Sequence, residues 1–140
     1  MSLLQVIYTS QACMPLSRAD LNKLVASASR RNRQNGITGM LQCADNAFLQ
    51  VLEGDEKNVL TLYADILNDD RHRDVHTVVI RPVEIRNFPN WAMGLVDNLQ
   101  EPVDLNHVLN RASDRVGVWN HADWSEILNT FRAELELVEP

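Results

Sequence analysis

The chain has 140 residues, 45% of them hydrophobic and 23% charged, with a net charge of −6. That length and balance fit one soluble domain with a sizeable core and exclude a disordered segment. The acidic balance makes nucleic acid a poor partner, and no apolar run approaches the ~20 residues of a membrane span. Two cysteines, Cys13 and Cys43, stand far apart in no metal-like spacing and suit a reducing cytoplasm. The first eight residues lack a basic stretch before an apolar run, so they read as a strand rather than a signal peptide. The expected location is cytoplasmic.

Leu3–Thr9 is apolar on both faces and predicts a central strand. A loop with Pro15 follows. Ser17, with Asp20 three residues on, opens a helix that runs to about Arg33. Its stripe is Leu21, Leu24, Val25 and Ala28, and Asn32 continues that stripe one turn further. A polar residue therefore points inward at the end of the helix. Asn35-Gly36 stops it. Ile37–Cys43 and Ala47–Glu53 predict a hairpin around Asp45-Asn46. A second helix, about Glu56–Asn68, carries the stripe Val59, Leu62, Tyr63, Ile66 and Leu67. Val75–Pro82 and Trp91–Val96 predict two more strands. The order βαββαβ plus a fifth strand is the ferredoxin-like split pattern, an α+β fold with two helices on one sheet face. Two amphipathic helices are expected in the tail, one with Leu105, Val108, Leu109 and Ala112, the other with Trp124, Ile127, Leu128, Phe131 and Leu135. They would cover the other face. The expected organisation is thus a domain over residues 1–97 and a two-helix extension over 98–140.

Gln50 interrupts the apolar run Phe48-Leu49-Gln50-Val51-Leu52. A buried amide without partners costs on the order of 1–3 kcal/mol, so something must bond to it. Strand alternation puts Leu4, Val6 and Tyr8 on one face and Phe48, Gln50 and Leu52 on one face; if these are the helix-covered faces, Tyr8, Gln50 and Asn32 meet at the top of one cleft. Three polar groups converging between two helices mark a cleft. One such residue alone would more often be a satisfied core group. His72 and His76 have i, i+4 spacing but flank a strand entrance, and no metal is expected there. Arg71-His72-Arg73 is a basic cluster past the second helix, either a solvated turn or a ligand contact. Gly36 and Gly39 match neither nucleotide fingerprint and fit a helix stop and a close backbone approach. Glu53, Asp55 and Glu56 read as helix-start acids. No Ser/His/Asp or Cys/His pairing is evident.

These residues resemble the BLUF domains, blue-light sensors that bind flavin. The similar elements are Ile7-Tyr8-x-Ser10, Ser29-Arg30-Arg31-Asn32-x-x-Asn35-Gly36-Ile37-Thr38-Gly39-Met40-Leu41, Phe48-Leu49-Gln50-Val51-Leu52-Glu53-Gly54, Asp70-Arg71-His72 and Arg86-x-Phe88-x-x-Trp91-x-Met93. They span residues 3 to about 97 in order. The resemblance implies a non-covalent FAD between the two helices and no enzymatic turnover. It implies flavin contacts from Tyr8, Arg31, Asn32, Phe48, Gln50, Asp69, Arg71, His72 and Met93. It implies a photoswitch built from Tyr8 and Gln50, in which light-driven electron and proton transfer from Tyr8 leaves the Gln50 amide rearranged and the absorption shifted to the red. Trp91 or Met93 would relay that change. Arg31 stands where the family often has a second Asn, and Asp65 where some members carry a basic residue. The tail is short for an output enzyme, which implies a separate effector protein and self-association. Two rivals are a small flavin oxidoreductase on the same fold and a non-photoactive ligand or interaction domain.

Overall fold

Strand β1 (Leu3–Ala12) is the longest strand of the first half, and it is buried on both sides. The computed structural model describes residues 2–44 and 47–96. After β1 come α1 (Arg18–Gln34), β2 (Thr38–Ala44), β3 (Ala47–Asp55), α2 (Glu56–Leu67), β4 (His72–Val83) and β5 (Gly94–Val96). The sheet order is β4-β1-β3-β2-β5, antiparallel except for the β2–β5 pair. This is the expected split βαββαβ arrangement with an added edge strand. The expected turn at Asp45-Asn46 and the two tail helices of residues 98–140 lie outside the described residues.

The helix-facing core is the set that alternation selects. Leu4, Val6 and Tyr8 of β1 and Phe48 and Leu52 of β3 pack with Leu21 and Ala28 of α1 and with Val59, Leu62, Tyr63 and Ile66 of α2. Leu67, placed on the α2 stripe by the sequence, is half exposed instead, because α2 ends there. On the other face Gln5, Ile7, Met40, Leu49, Val51 and Glu53 are all fully buried.

Local chemistry sets the boundaries of α1. Ser17 Oγ accepts from the Asp20 amide at 3.1 Å, and the Asp20 carboxylate accepts from the Ser17 amide at 3.2 Å, a full capping box. At the other end Gly36 takes φ +65°, where a side chain would be strained. Gly39 has a different reason to be glycine. A Cβ there would lie 1.9 Å from the Val51 carbonyl oxygen, so β2 and β3 approach too closely for any side chain.

Three expectations are corrected. First, β1 runs on to Ala12 and β4 begins at His72, not Val75, because their ladder extends to the Ala12–His72 pair. Irregularities between Ile7 and Tyr8 and between Thr9 and Gln11, with Asp74 at φ +53°, break the alternation that sequence reading depends on. Second, β5 is only Gly94–Val96, so Trp91 and Met93 precede it. Their stretch is held by single bonds rather than a ladder: Gly39 N–H donates to the Trp91 carbonyl at 2.9 Å and Asn32 Nδ2 to the Ala92 carbonyl at 2.7 Å. Third, Glu53 is no helix-start acid. It lies inside β3 and is fully buried on the face away from the helices.

Candidate functional site

Tyr8 and Gln50 are direct partners in the β1–β3 ladder. Their side chains therefore stand side by side on the helix face, and the Tyr8 hydroxyl donates to Gln50 Oε1. Gln50 Nε2 donates in turn to Met93 Sδ at 3.5 Å. The amide inside the apolar strand is thus satisfied at both ends by side chains. Met93, rather than Trp91, is the residue hydrogen-bonded to Gln50. Trp91 lines a separate pocket of about 530 Å³ with Arg33, Arg86 and Met93.

Asn32 closes the group from α1. It is fully buried, one turn past Ala28, and its Nδ2 holds the carbonyl of Ala92, the residue before Met93. Its Oδ1 has no hydrogen-bond partner in the protein. An unpaired buried acceptor costs about 1–3 kcal/mol and is rare without a reason. Arg31, next to Asn32 in the chain, and Ala28, one turn before it, line the cleft, whereas Asn32 itself is not among the lining residues.

The cleft between α1, α2 and the sheet has a volume of about 710 Å³, within the range of small-molecule sites. Its floor is Tyr8, Leu41, Phe48 and Gln50, and its mouth carries Lys23, Arg31, Asp69, Arg71 and His72. This is an apolar slot with polar groups at one end and charge at the rim, which suits a planar ring bearing an amide-like edge and a charged tail. The orphaned Asn32 Oδ1 asks for a donor, and the flavin ring carries one beside its carbonyls. The residues present therefore fit a flavin.

Three of the rim residues, His72, Arg71 and Asp69, are held by neighbours. His72 Nε2 lies 2.7 Å from the Ile66 carbonyl, so it is the protonated nitrogen. His72 Nδ1 is hydrogen-bonded to the Ser10 hydroxyl at 2.9 Å. Arg71 grips Asp69 with contacts of 2.6 and 3.0 Å. Hydrogen bonds from Arg71 hold the Asp69 carboxyl at about 2, against the cost of its partial burial. Arg31 is exposed at the mouth. Burial pushes the Tyr8 phenol well above its ordinary value. Tyr63 and Asp69 add to the rise, and Arg31 opposes it. Tyr8 is therefore a neutral donor in the resting protein.

Sequence reading expected Tyr8, Gln50 and Asn32 to meet in one cleft with Trp91 or Met93 beside Gln50. The structure joins Tyr8, Gln50 and Met93 by hydrogen bonds, whereas Asn32 and Met93 are not among the residues that line the cleft, and Asn32 holds the Ala92 backbone instead. Sequence reading missed Tyr63, whose ring sits 5.3 Å from that of Tyr8 and whose hydroxyl bonds Thr77. The stripe of α2 named Tyr63 as core, and only the helix packing shows which ring it meets. It also missed the positioning of His72 by Ser10, although Ser10 shares the parity of Tyr8 on β1. His76 is exposed. Among the described residues, no group of three or more His, Cys, Asp or Glu could hold a metal.

Comparison with known proteins agrees with this geometry. The family model described as "BLUF: Sensors of blue-light using FAD" matches residues 3–94. The photoactivated adenylate cyclase subunit beta of Euglena gracilis is 42% identical over 93 residues, which are 66% of this chain and 11% of that protein. The alpha subunit of the same organism is 40% identical over 86 residues, 61% of this chain and 8% of that protein. The chain thus spans about a tenth of the length of the curated relatives it matches. Among solved structures, BlrB, a BLUF protein in its dark state, superposes with a TM-score of 0.74 at 26% identity, over 94% of this chain and 96% of that one. Klebsiella pneumoniae BlrP1, solved with FMN and cyclic diGMP, gives 0.67 at 32% identity, over 94% of this chain and 35% of that one. The match over most of the chain, on a fold whose cleft suits a flavin, places this chain in the BLUF family of blue-light sensors that use FAD.

Proposed function

We infer that Tyr8 and Gln50 form the photoswitch of this sensor and that Met93 is its first relay. The observation that carries this reading is the continuous chain Tyr8 hydroxyl to Gln50 Oε1, Gln50 Nε2 to Met93 Sδ. FAD would be held by Asn32 at its polar edge, by Phe48 and Gln50 along the ring, and by Arg31, Asp69, Arg71 and His72 at the mouth. When bound, FAD supplies absorption of blue light and, once excited, an oxidant for a nearby phenol.

The rest is done by side chains. Tyr8 is neutral and buried, and loss of an electron makes its hydroxyl strongly acidic. Its proton has one ready acceptor, Gln50 Oε1. The carboxamide of Gln50 accepts on one side and donates on the other. A half-turn exchanges the two, so Nε2 faces the Tyr8 oxygen and Oε1 faces Met93. The thioether of Met93 is an acceptor without a proton to give. The turned amide therefore bonds Tyr8 and loses Met93. That asymmetry makes Gln50 a two-state element whose second state releases the stretch before β5. Once the electron and the proton have returned to Tyr8, only the orientation of the Gln50 amide differs between the two states, so no covalent bond separates them and the resting state returns in the dark.

Output passes to an effector. The Euglena relatives are cyclase subunits far longer than this chain, whereas BlrB and BlsA are covered over 96% and 98% of their lengths. In this reading the output goes to a separate protein, with self-association of the sensor, in the cytoplasm. The chain itself would be a sensor without turnover. Among the described residues, no helix is long and apolar enough to cross a membrane. Residues 1–97 would form the sensor and 98–140 a two-helix extension.

The test is spectroscopic. Purified protein should be yellow and shift reversibly to the red under blue light. Tyr8→Phe and Gln50→Leu should keep the flavin and lose the shift. A Gln50→Leu protein that still shifts would end this assignment of the switch.

A further inference from the structure

The stretch between β4 and β5 is tied to both faces of the sheet, and the two ties come from one strand. Gln50 and Glu53 are three apart on β3, so they point to opposite faces. On the helix face Gln50 holds Met93. On the other face the Glu53 carboxylate gathers the start of the same stretch. Its Oε1 accepts from the Phe88 amide at 2.7 Å, and its Oε2 from the Asn87 amide at 2.9 Å and from Gln5 Nε2 at 2.9 Å. A carboxylate withdrawn from water is costly unless several donors converge on it, as they do here. Arg86 adds a bond to the Glu53 backbone carbonyl at 3.1 Å and one to Thr38 Oγ1 at 2.9 Å. Arg81 steadies Gln5 from β4 at 2.8 Å. Phe88 is fully buried beside this cluster.

The two ends of residues 87–93 are therefore unequal. The Glu53 end has several charge-assisted or backbone bonds. The other end has the Asn32–Ala92 and Gly39–Trp91 bonds and the weak thioether contact. We propose that Glu53 is a positioning residue, the fixed anchor that sets Met93 in register with Gln50. Light then frees only the far end of this strap. The inference rests on the switch assigned above, because it takes Gln50 as the group that lets go. It adds what determines where the released motion goes: toward Trp91–Met93 and the β5 edge, not back along the sheet.

Two amides report the two ends. Gly39 N–H donates to the Trp91 carbonyl, and Phe88 N–H donates to Glu53. Amide-resolved hydrogen exchange by NMR on the flavin-loaded full chain, dark and lit, reads both. In the wild type, illumination should raise exchange at Gly39 at least threefold and leave Phe88 within 1.5-fold. Glu53→Gln replaces one acceptor oxygen by a donor that faces other donors. It should keep the flavin and the red shift, raise Phe88 exchange in the dark, flatten the lit-to-dark ratio at Gly39 toward one, and change the dark recovery rate at least threefold. Should that variant not fold, Glu53→Asp keeps the charge and draws the oxygens back by one methylene. A full red shift with no change at Gly39 overturns the proposal, and so does a variant with wild-type ratio and recovery. Absence of any red shift in the wild type would instead remove the switch on which it rests.

Discussion

Replacing Asn32 with Ala separates the roles of its nitrogen and its oxygen. In flavin-free protein the substitution strands the Ala92 carbonyl, at about 1–3 kcal/mol, but also deletes an Oδ1 that already lacks a partner, which returns a similar amount. The two roughly offset, apart from a small cavity, so the flavin-free Tm should move by no more than about 3 °C, on the order of 1 kcal/mol. In loaded protein the Oδ1 has its donor, so nothing is returned and the whole loss appears as weaker binding. A difference of about 1.4–2.8 kcal/mol is a 10- to 100-fold rise in Kd. Flavin titration of the stripped protein by fluorescence quenching gives Kd, and melts of both forms give the rest. Equal destabilisation of the loaded and stripped forms, with Kd unchanged, would refute the role of Oδ1 at the ring edge.

Gly39→Ala should cost more than about 4 kcal/mol or abolish folding, because its Cβ would meet the Val51 carbonyl at 1.9 Å. Gly36→Ala, with open space around it but φ +65°, should cost only about 1 kcal/mol in the same denaturant melts. The Tyr8 phenol is raised by burial, so its stabilising contribution is complete below the ordinary value near 10 and is lost only as pH rises through its higher folded value. Phenolate absorbance compared between wild type and Tyr8→Phe should therefore show no titration of Tyr8 up to about pH 10 in folded protein. The Asp69 carboxyl moves the other way, to about 2. Its contribution is present above about pH 3.9 and fades as pH falls toward 2. Because Arg71 is largely exposed, Asp69→Asn should cost well under 1 kcal/mol at pH 7, with the gap to wild type closing in melts at pH 2–3.

Alternation and helical period were enough to place Tyr8, Gln50 and Asn32. Tyr8 and Gln50 needed only strand parity, and Asn32 needed only one more turn past Ala28. Met93 could be paired with Trp91 as alternatives but not separated from it. The stretch before Gly94 is not a strand, and its path depends on Glu53, Gly39 and Asn32 from three other elements. Glu53 itself was misread because a local rule, acids before a helix, competed with parity within β3, and parity won. The start of β4 was hidden by the irregular pairing around Tyr8 and Thr9, where the period of two breaks. What sequence pattern conveys is thus the regular part of the site. The irregular part is decided by partners distant in the chain.

One carboxamide, that of Asn32, grips the Ala92 backbone with its nitrogen, and its unpartnered oxygen is the atom proposed above to meet the flavin edge. Loading and signalling are consequently not separate dials in this protein. An engineer who selects variants at this position for firmer retention of the dye will also retune the spring on which the neighbouring thioether is mounted, and so the lifetime of the lit form. Screens for colour alone would miss that trade, and screens for kinetics alone would return pale colonies.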